Sequence, residues 1–350
     1  MFFKSKKVIG LDIGSSSIKL AELDVSKSGA TLQSFRLAPT PLNAISSGEL
    51  TDPVALGATI RGLFDELGSK RKNISTGMWG MAVIVKKITM PKMDAKLLAE
   101  QIRYEAEQYI PFDINNVSLA HHVLTTSASP DTQDVLLVAA QNELVSQYMR
   151  TVELAGLTCK VLDVNGFALA NCFEMNYGRF PGQNIGLLSF GASITNFVVI
   201  SNGDVVFSRD ISVGGANHTS EISKGMGVSL QEAEMLKLSA VAGQEVPDDV
   251  TNLITMTNET VAEEVRNSLD FLGATTNGMT LHRCLITGGA SPTPGLADSI
   301  SRTTSLRLET LNPLMKVKVN AKKIPPEYLD QIMPFSAIAI GLGLRQAGDA

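Results

Sequence analysis

Two segments far apart in this chain share one strand–turn–strand pattern. Residues 8–20 read VIGLDIGSSSIKL, and residues 185–197 read IGLLSFGASITNF. In each segment an apolar strand leads into a glycine turn with small hydroxylated residues. The backbone N–H groups of such a turn can surround an anion, because glycine adopts the positive φ that the turn needs. The repeat therefore predicts two similar halves that close on one nucleotide.

The two copies differ at one position that matters for chemistry. Aligning Gly14 with Gly191 places Asp12 against Ser189. Asp12 is the candidate ligand for Mg²⁺, through water, since this ion keeps several waters in phosphate sites. Serine offers only a weak, neutral ligand, so we expect nucleotide binding with slow or absent ATP hydrolysis. The candidate phosphate-binding residues are Gly14, Ser15, Ser16 and Lys19 in the first copy, and Gly191 and Ser193 in the second.

Length and composition agree with two soluble α/β domains. A chain of 350 residues is longer than a single hydrophobic core normally supports. We expect Pro181-Gly182 to divide it into domains at 1–180 and 181–350. The net charge of -5 argues against nucleic-acid binding. The sequence contains no apolar run that is long enough to span a membrane and no signal-peptide pattern, so a cytoplasmic location is expected.

The segment at about 82–155 reads as a subdomain inserted in the first domain. Within it, Leu98, Ile102 and Ala106 recur at helical spacing and predict a packed helix face. The helix ends in an apolar corner, and exposed apolar corners mark interaction sites. The corner, a candidate partner-binding site, consists of Tyr109, Ile110, Pro111 and Phe112. A second apolar helix, predicted at 334–345, is expected to pack back on the first domain.

Together these segments resemble the actin-like ATPase superfamily, which has a duplicated ribonuclease H-like fold around a nucleotide cleft. Residues 285–291 (LITGGAS) resemble its adenosine motif, which implies nucleotide contacts by Gly288, Gly289 and Ser291. Residues 212–219 resemble a phosphate-edge turn, which implies contacts by Gly214 and Gly215. Glu234 and Lys237 resemble a ribose-binding pair, although a surface ion pair explains their spacing as well. Asp12 and Asp163 are the candidate catalytic acids, and Asn165 is an alternative for positioning water.

Within the superfamily, the sequence resembles the PilM family of type IV pilus assembly, in the FtsA-like branch. This likeness rests on LAEQIRYEAEQYIPF at 98–112 and SRDISVGG at 208–215. It implies an adaptor that binds ATP and Mg²⁺ and lies at the inner membrane through a protein partner. That partner is the N-terminal cytoplasmic tail of a PilN-like protein, held in a groove beside the inserted subdomain. Other pilus platform and motor components are expected to bind as well.

Three other functions remain open from the sequence. An FtsA-like filament or division protein shares the position of the insertion and the glycine turn. A type II secretion platform uses a similar cytoplasmic domain. A small-molecule kinase of the same superfamily would need a substrate acid between the two halves, and the sequence shows no clear sugar pocket.

Overall fold

The computed structural model describes residues 6–27, 29–125 and 129–349. The strands are β1 (Ile9–Ile13), β2 (Ser17–Ser26), β3 (Gly29–Pro39), β4 (Ile45–Ser46), β5 (Glu49–Leu50), β6 (Asn73–Met78), β7 (Val83–Pro91), β8 (Val117–Val123), β9 (Thr132–Gln141), β10 (Thr158–Val164), β11 (Asn184–Phe190), β12 (Thr195–Ser201), β13 (Asp204–Ile211), β14 (Arg283–Thr287), β15 (Leu308–Thr310) and β16 (Lys318–Val319). The helices are α1 (Pro53–Leu67), α2 (Ala95–Glu107), α3 (Asn142–Leu154), α4 (Asn165–Tyr177), α5 (Gly215–Met226), α6 (Leu230–Val241), α7 (Asp248–Thr275), α8 (Leu296–Thr304), α9 (Pro326–Ile332) and α10 (Ala337–Gly343).

The two halves repeat one sheet topology. The first sheet has the order β10-β6-β1-β2-β3-β16, and the second has the order β13-β12-β11-β14-β15. In each, three antiparallel strands are followed by strands parallel to the first of them: β6 beside β1, and β14 beside β11. The duplication read from the two hairpin segments therefore extends to whole sheets.

One hydrophobic core joins the halves. Buried side chains from the first sheet, from α4 and α10, and from the second sheet form a single cluster that includes Phe35, Phe173, Val198 and Ile340. Helix α10 packs on β1, β2, β6 and α4. Small residues permit this close approach, because a Cβ on Gly341 would lie 1.7 Å from the carbonyl oxygen of Ala168. The last helix is thus fixed against the first sheet by backbone-to-backbone packing.

The inserted subdomain is a three-stranded sheet of order β7-β9-β8 with α2 on one face. Asp94 caps α2 by accepting a hydrogen bond from the N–H of Leu97 at 2.9 Å. Helix α3 lies outside this unit, since Leu144, Tyr148 and Val152 pack in the core of the first sheet. We therefore place the end of the insertion near Gln141 rather than at 155.

Within the three described ranges, none of the helices combines the length and apolar character that a membrane crossing requires.

Candidate nucleotide site and partner groove

The first hairpin carries a buried ion pair beside its glycine turn. Asp12 on β1 lies opposite Lys19 on β2, and Lys19 Nζ is 3.0 Å from Asp12 Oδ2. Asp12 is only 3% exposed. The N–H of Gly14 donates to the carbonyl of Ser17 at 3.1 Å, and a Cβ on Gly14 would lie 3.0 Å from Lys19 Nζ. Glycine thus leaves the space over the turn that the ammonium group fills, and Ser16 is exposed at the tip.

The second hairpin repeats the geometry with neutral residues. Ser189 on β11 pairs with Asn196 on β12, as Asp12 pairs with Lys19. The N–H of Gly191 donates to the carbonyl of Ile194 at 2.9 Å, and Ser193 is exposed at the tip. Both the acid and the base of the first hairpin are therefore absent at the equivalent positions.

An acid missed by the sequence analysis, Asp210 on β13, lies next to this neutral pair. Asn196 Nδ2 donates to Asp210 Oδ1 at 2.6 Å, and the N–H of Gly80 donates to Asp210 Oδ2 at 2.7 Å. Burial raises the pKa of Asp210, and these two hydrogen bonds offset part of that effect. Since Gly80 belongs to the first domain, Asp210 connects the two halves.

Tyr148 of α3 is a buried tyrosine whose pKa responds to both Asp12 and Asp210. Burial, followed by the negative charges of these two acids, raises the pKa of Tyr148. Its hydroxyl is buried without a hydrogen-bond partner among the described residues. The first hairpin is tied to the same place, because Trp79 Nε1 donates to the carbonyl of Ile13 at 2.9 Å, next to Gly80. Two carboxylates thus face one region between the halves.

The predicted phosphate-edge turn packs directly on the second hairpin. The N–H of Gly215 donates to the carbonyl of Gly191 at 2.9 Å, and the N–H of Ala216 donates to the carbonyl of Ala192 at 2.8 Å. A Cβ on Gly214 would lie 2.5 Å from the carbonyl oxygen of Ala192, so this position requires glycine. Helix α5 therefore starts at the hairpin tip.

Glu234 and Lys237 lie together on α6 and face the start of α5. Lys237 Nζ is 2.7 Å from Glu234 Oε2, 2.9 Å from Thr219 Oγ1 and 3.1 Å from the carbonyl of Gly215. Lys237 is 8% exposed. Since its ammonium group is buried and bonded to α5, the pair is more than a solvated surface contact, and it lies beside the second hairpin.

The predicted adenosine motif follows β14 and touches the same hairpin. Gly288 has a φ of +98°, and a Cβ there would lie 2.3 Å from the carbonyl oxygen of Phe190. The N–H and the hydroxyl of Ser291 both donate to the carbonyl of Gly288, at 2.9 and 2.8 Å. A Cβ on Gly289 would lie 2.6 Å from the ring of Phe335. The structure thus brings the second hairpin, Gly214, Gly215, Lys237 and this motif together.

Asp163 at the end of β10 has its own set of partners. Its Oδ1 accepts from the N–H of Val164 at 2.8 Å, and its Oδ2 is 3.4 Å from Arg345 Nε. Burial raises the pKa of Asp163, and Arg345 offsets part of the effect. Asp163 lines a groove beside the inserted subdomain. Its neighbour Asn165 has a buried Oδ1 without a partner in the described parts of the chain.

The expected exposure of the apolar corner is wrong for Ile110. This side chain is 6% exposed and belongs to the core of the inserted subdomain, with Tyr109 and Phe112 packed against the same core. The chain turns back on itself here through the N–H of Ile110, which donates to the carbonyl of Ala106 at 3.0 Å. That turn directs the corner inward, and only Pro111 remains fully exposed.

A groove of about 650 Å³ lies instead on the side of the insertion formed by β8. Strands β8 and β10 are edge strands of their sheets, and both line it. Its apolar wall includes Val138 of β9 and Phe167 and Phe173 of α4. Asp204 of β13 closes one end, where its Oδ2 accepts from the N–H of Thr125 at 2.6 Å and from Thr125 Oγ1 at 2.7 Å. The groove is thus bounded by the insertion, the first domain and the second domain.

A family model and a solved structure that resemble this chain carry the same family name. The sequence matches the family model described as "Type IV pilus assembly protein PilM" over residues 10–347. A solved structure, described as "PilM-PilN type IV pilus biogenesis complex", superposes with a TM-score of 0.87 at 29% identity, covering 97% of this chain and 98% of that one.

More distant similarities concern the fold. The ethanolamine utilization protein EutJ from Carboxydothermus hydrogenoformans has a TM-score of 0.58 at 14% identity, covering 98% of this chain and 91% of that chain. The cell division protein FtsA of Bacillus subtilis (strain 168) is 22% identical over 259 residues, which are 65% of this chain. The match spans 57% of FtsA. The fold is actin-like, as the sequence resemblance predicted.

Proposed function

This chain belongs to the PilM family of type IV pilus assembly proteins, and we propose that it is a nucleotide-binding adaptor that captures the N-terminal tail of a PilN-like inner-membrane protein. The similar solved structure is a complex of PilM with PilN. In this role the protein lies at the cytoplasmic face of the membrane through its partner.

The observation that carries the proposal is the groove between two free sheet edges. Strands β8 and β10 both present backbone donors and acceptors that lack a neighbouring strand within their own sheets. An extended peptide binds such an edge by adding a strand, and apolar pockets then select its side chains. The partly exposed side chains of Val138 and Phe167 supply apolar surface for those side chains, and the buried Phe173 supports them from behind. We therefore assign the tail to this groove rather than to the corner at Ile110.

The cluster around the two hairpins supports ATP as the nucleotide. The two glycine turns suit phosphates, since such turns bind anions, whereas the first N–H groups of α5 already donate to the second hairpin and to the first turn of α5 itself. Gly288 and Gly289 let the chain run close to β11 and Phe335 without side-chain bulk. Glu234 and Lys237, beside the start of α5, are proposed to reorient toward the ribose.

The donor set fits Mg²⁺ with Asp12 as its holder. Mg²⁺ binds through one or two carboxylates together with substrate phosphates rather than in an all-protein cage. The buried carboxylate of Asp12 beside the first glycine turn supplies one such ligand. A bound ion would neutralise phosphate charge. Asp12 would orient its waters, and Lys19 would hold the adjacent phosphate.

Weak or absent turnover follows from the neutral second hairpin. Ser189 and Asn196 offer no negative charge at the position equivalent to Asp12 and Lys19. The nearest acid, Asp210, already accepts two hydrogen bonds that join the halves. We expect this protein to hydrolyse ATP far more slowly than an active actin-like ATPase does, and phosphate release under saturating ATP measures this rate directly.

Filling the groove should abolish tail capture. Ala120 of β8 is exposed and lines the groove. An Ala120→Trp variant should bind a fluorescein-labelled peptide of the cognate PilN-like tail at least about tenfold more weakly, a loss of about 1.4 kcal/mol. Fluorescence anisotropy measures the affinity.

Ala99→Trp provides the matched control, because Ala99 is an exposed residue of α2 in the same subdomain. It should leave the peptide affinity unchanged. Equal affinities for the wild-type protein and both variants would rule out this groove. Binding of ATP by all three proteins would show that the site around the hairpins is intact.

A further inference from the structure

Helix α6 is apolar on two opposite sides, although only one side is packed. Its inner side places Ala233 in a small core with Ile222, Val250 and Ile254 from α5 and α7. Its outer side exposes Leu230 at 59%, Met235 at 62% and Leu238 at 53%. At 100° per residue these three side chains fall within an arc of about 140°, which they share with Gln231 and Glu234.

This outer face is unusual for a helix on a protein surface. Surface helices of globular proteins are normally polar on the side away from the core, and a helix that is apolar all round is a buried one. Three large apolar side chains exposed on one helix face mark an interaction site more reliably than a single exposed residue does. Lys237 of the same helix points inward toward α5, whereas its partner Glu234 lies between Leu230 and Leu238 and places one edge of the patch beside the nucleotide cluster.

The charge around the patch specifies the kind of partner. Between residues 216 and 276 there are ten acidic and three basic residues, whereas the whole chain has 35 and 30. All three basic residues are already paired with acids of the same segment. Exposed acids at both ends of α6, such as Glu232 and Glu245, thus border the apolar patch.

We propose that the outer face of α6 docks a basic, amphipathic segment of another protein. Apolar side chains of that segment would cover Leu230, Met235 and Leu238, and its Lys or Arg residues would meet the surrounding acids. An anionic membrane surface is repelled by the same acids. A symmetric contact with a second copy would bring two acidic faces together. This surface is separate from the tail groove, so both partners can bind at once.

Site-specific photo-cross-linking in cells tests this proposal. The photo-reactive residue p-benzoyl-phenylalanine is placed at Met235 in the full chain, and adducts are mapped by mass spectrometry. We expect an adduct with a heterologous protein, mapped to a segment that is rich in Lys or Arg and contains apolar residues. Position Leu42, which is 87% exposed in the first domain, is the control and should give no such adduct.

Reversing the charge of acids near the patch provides a second test in the same cross-linking experiment. Glu232→Lys combined with Glu245→Lys should lower the adduct yield about tenfold, whereas Glu100→Lys, an exposed acid on α2, should not change it. An adduct with a second copy of the chain, an adduct with lipid, or a yield no higher than that at Leu42 would each overturn the proposal. Tail capture by the same variants should persist, so failure here is distinguishable from failure of the tail groove.

Discussion

Replacing Asp12 by asparagine should abolish Mg²⁺-dependent nucleotide binding and destabilise the protein. The substitution removes the carboxylate proposed to hold the ion and leaves Lys19, whose side chain is 11% exposed, without its anionic partner. Breaking a buried ion pair on one side costs about 3–5 kcal/mol. Titration with a fluorescent ATP analogue, with and without Mg²⁺, should show an affinity loss of about 100-fold or more in the presence of the ion.

Two companion variants separate the metal role from the folding role. Ser189→Ala changes the equivalent position of the second hairpin, and we expect nearly unchanged affinity. Asp12→Asn combined with Lys19→Met replaces the charged pair by neutral residues, so urea unfolding should show recovered stability while nucleotide binding stays lost. Wild-type affinity in Asp12→Asn, or an equal loss in Ser189→Ala, would contradict the proposed role of Asp12.

Adding one methyl group at Gly341 should destabilise the whole protein. A Cβ there would lie 1.7 Å from the carbonyl oxygen of Ala168, which is backbone and cannot rotate away. Helix α10 would have to separate from α4, and this opens the core that joins the two halves. We expect Gly341→Ala to lower the free energy of unfolding by about 4 kcal/mol or more, in the exceptional range for one substitution.

The matched control is the same change in an open position. Gly62 lies inside α1, and a Cβ there meets no atom within 4 Å. Gly62→Ala should stabilise the protein by about 0.5–1 kcal/mol through reduced backbone entropy. Differential scanning calorimetry of both variants measures the contrast. A Gly341→Ala protein as stable as wild type would show that α10 is not held by this close packing.

The duplicated sheets could be predicted because they depend on local patterns. Each hairpin combines strand residues with a glycine turn, and the pair Asn202-Gly203, typical of a tight two-residue turn, forms the turn before β13 with φ values of 54° and 90°. The short strands β4, β5, β15 and β16 could not be predicted in the same way. Strands of two or three residues carry too little periodicity, and β15 and β16 exist only because β14 and β3 lie beside them.

Asp210 was missed for a specific reason. Counting back from the Asn202-Gly203 turn pairs Ser201 with Asp204 and would place Arg209 opposite Asn196. A β-bulge between Val199 and Ile200 shifts the register by one residue and places Asp210 there instead. Such a shift exchanges the two faces of a strand. The groove could not be predicted from the sequence either, because β8 and β10 are far apart in sequence and come together only in the folded chain.

Strand β13 bonds to the inserted subdomain through Asp204 at Thr125, and to the first domain just before the insertion through Asp210 at Gly80. Its far end leads into the glycine turn at the start of α5, beside the second hairpin. The nucleotide and the partner tail would therefore both act on strand β13. Thermodynamic linkage then requires reciprocity: whatever factor nucleotide applies to tail affinity, the tail must apply to nucleotide affinity. If nucleotide strengthens tail binding, a bound tail would therefore strengthen nucleotide binding by the same factor without touching the nucleotide.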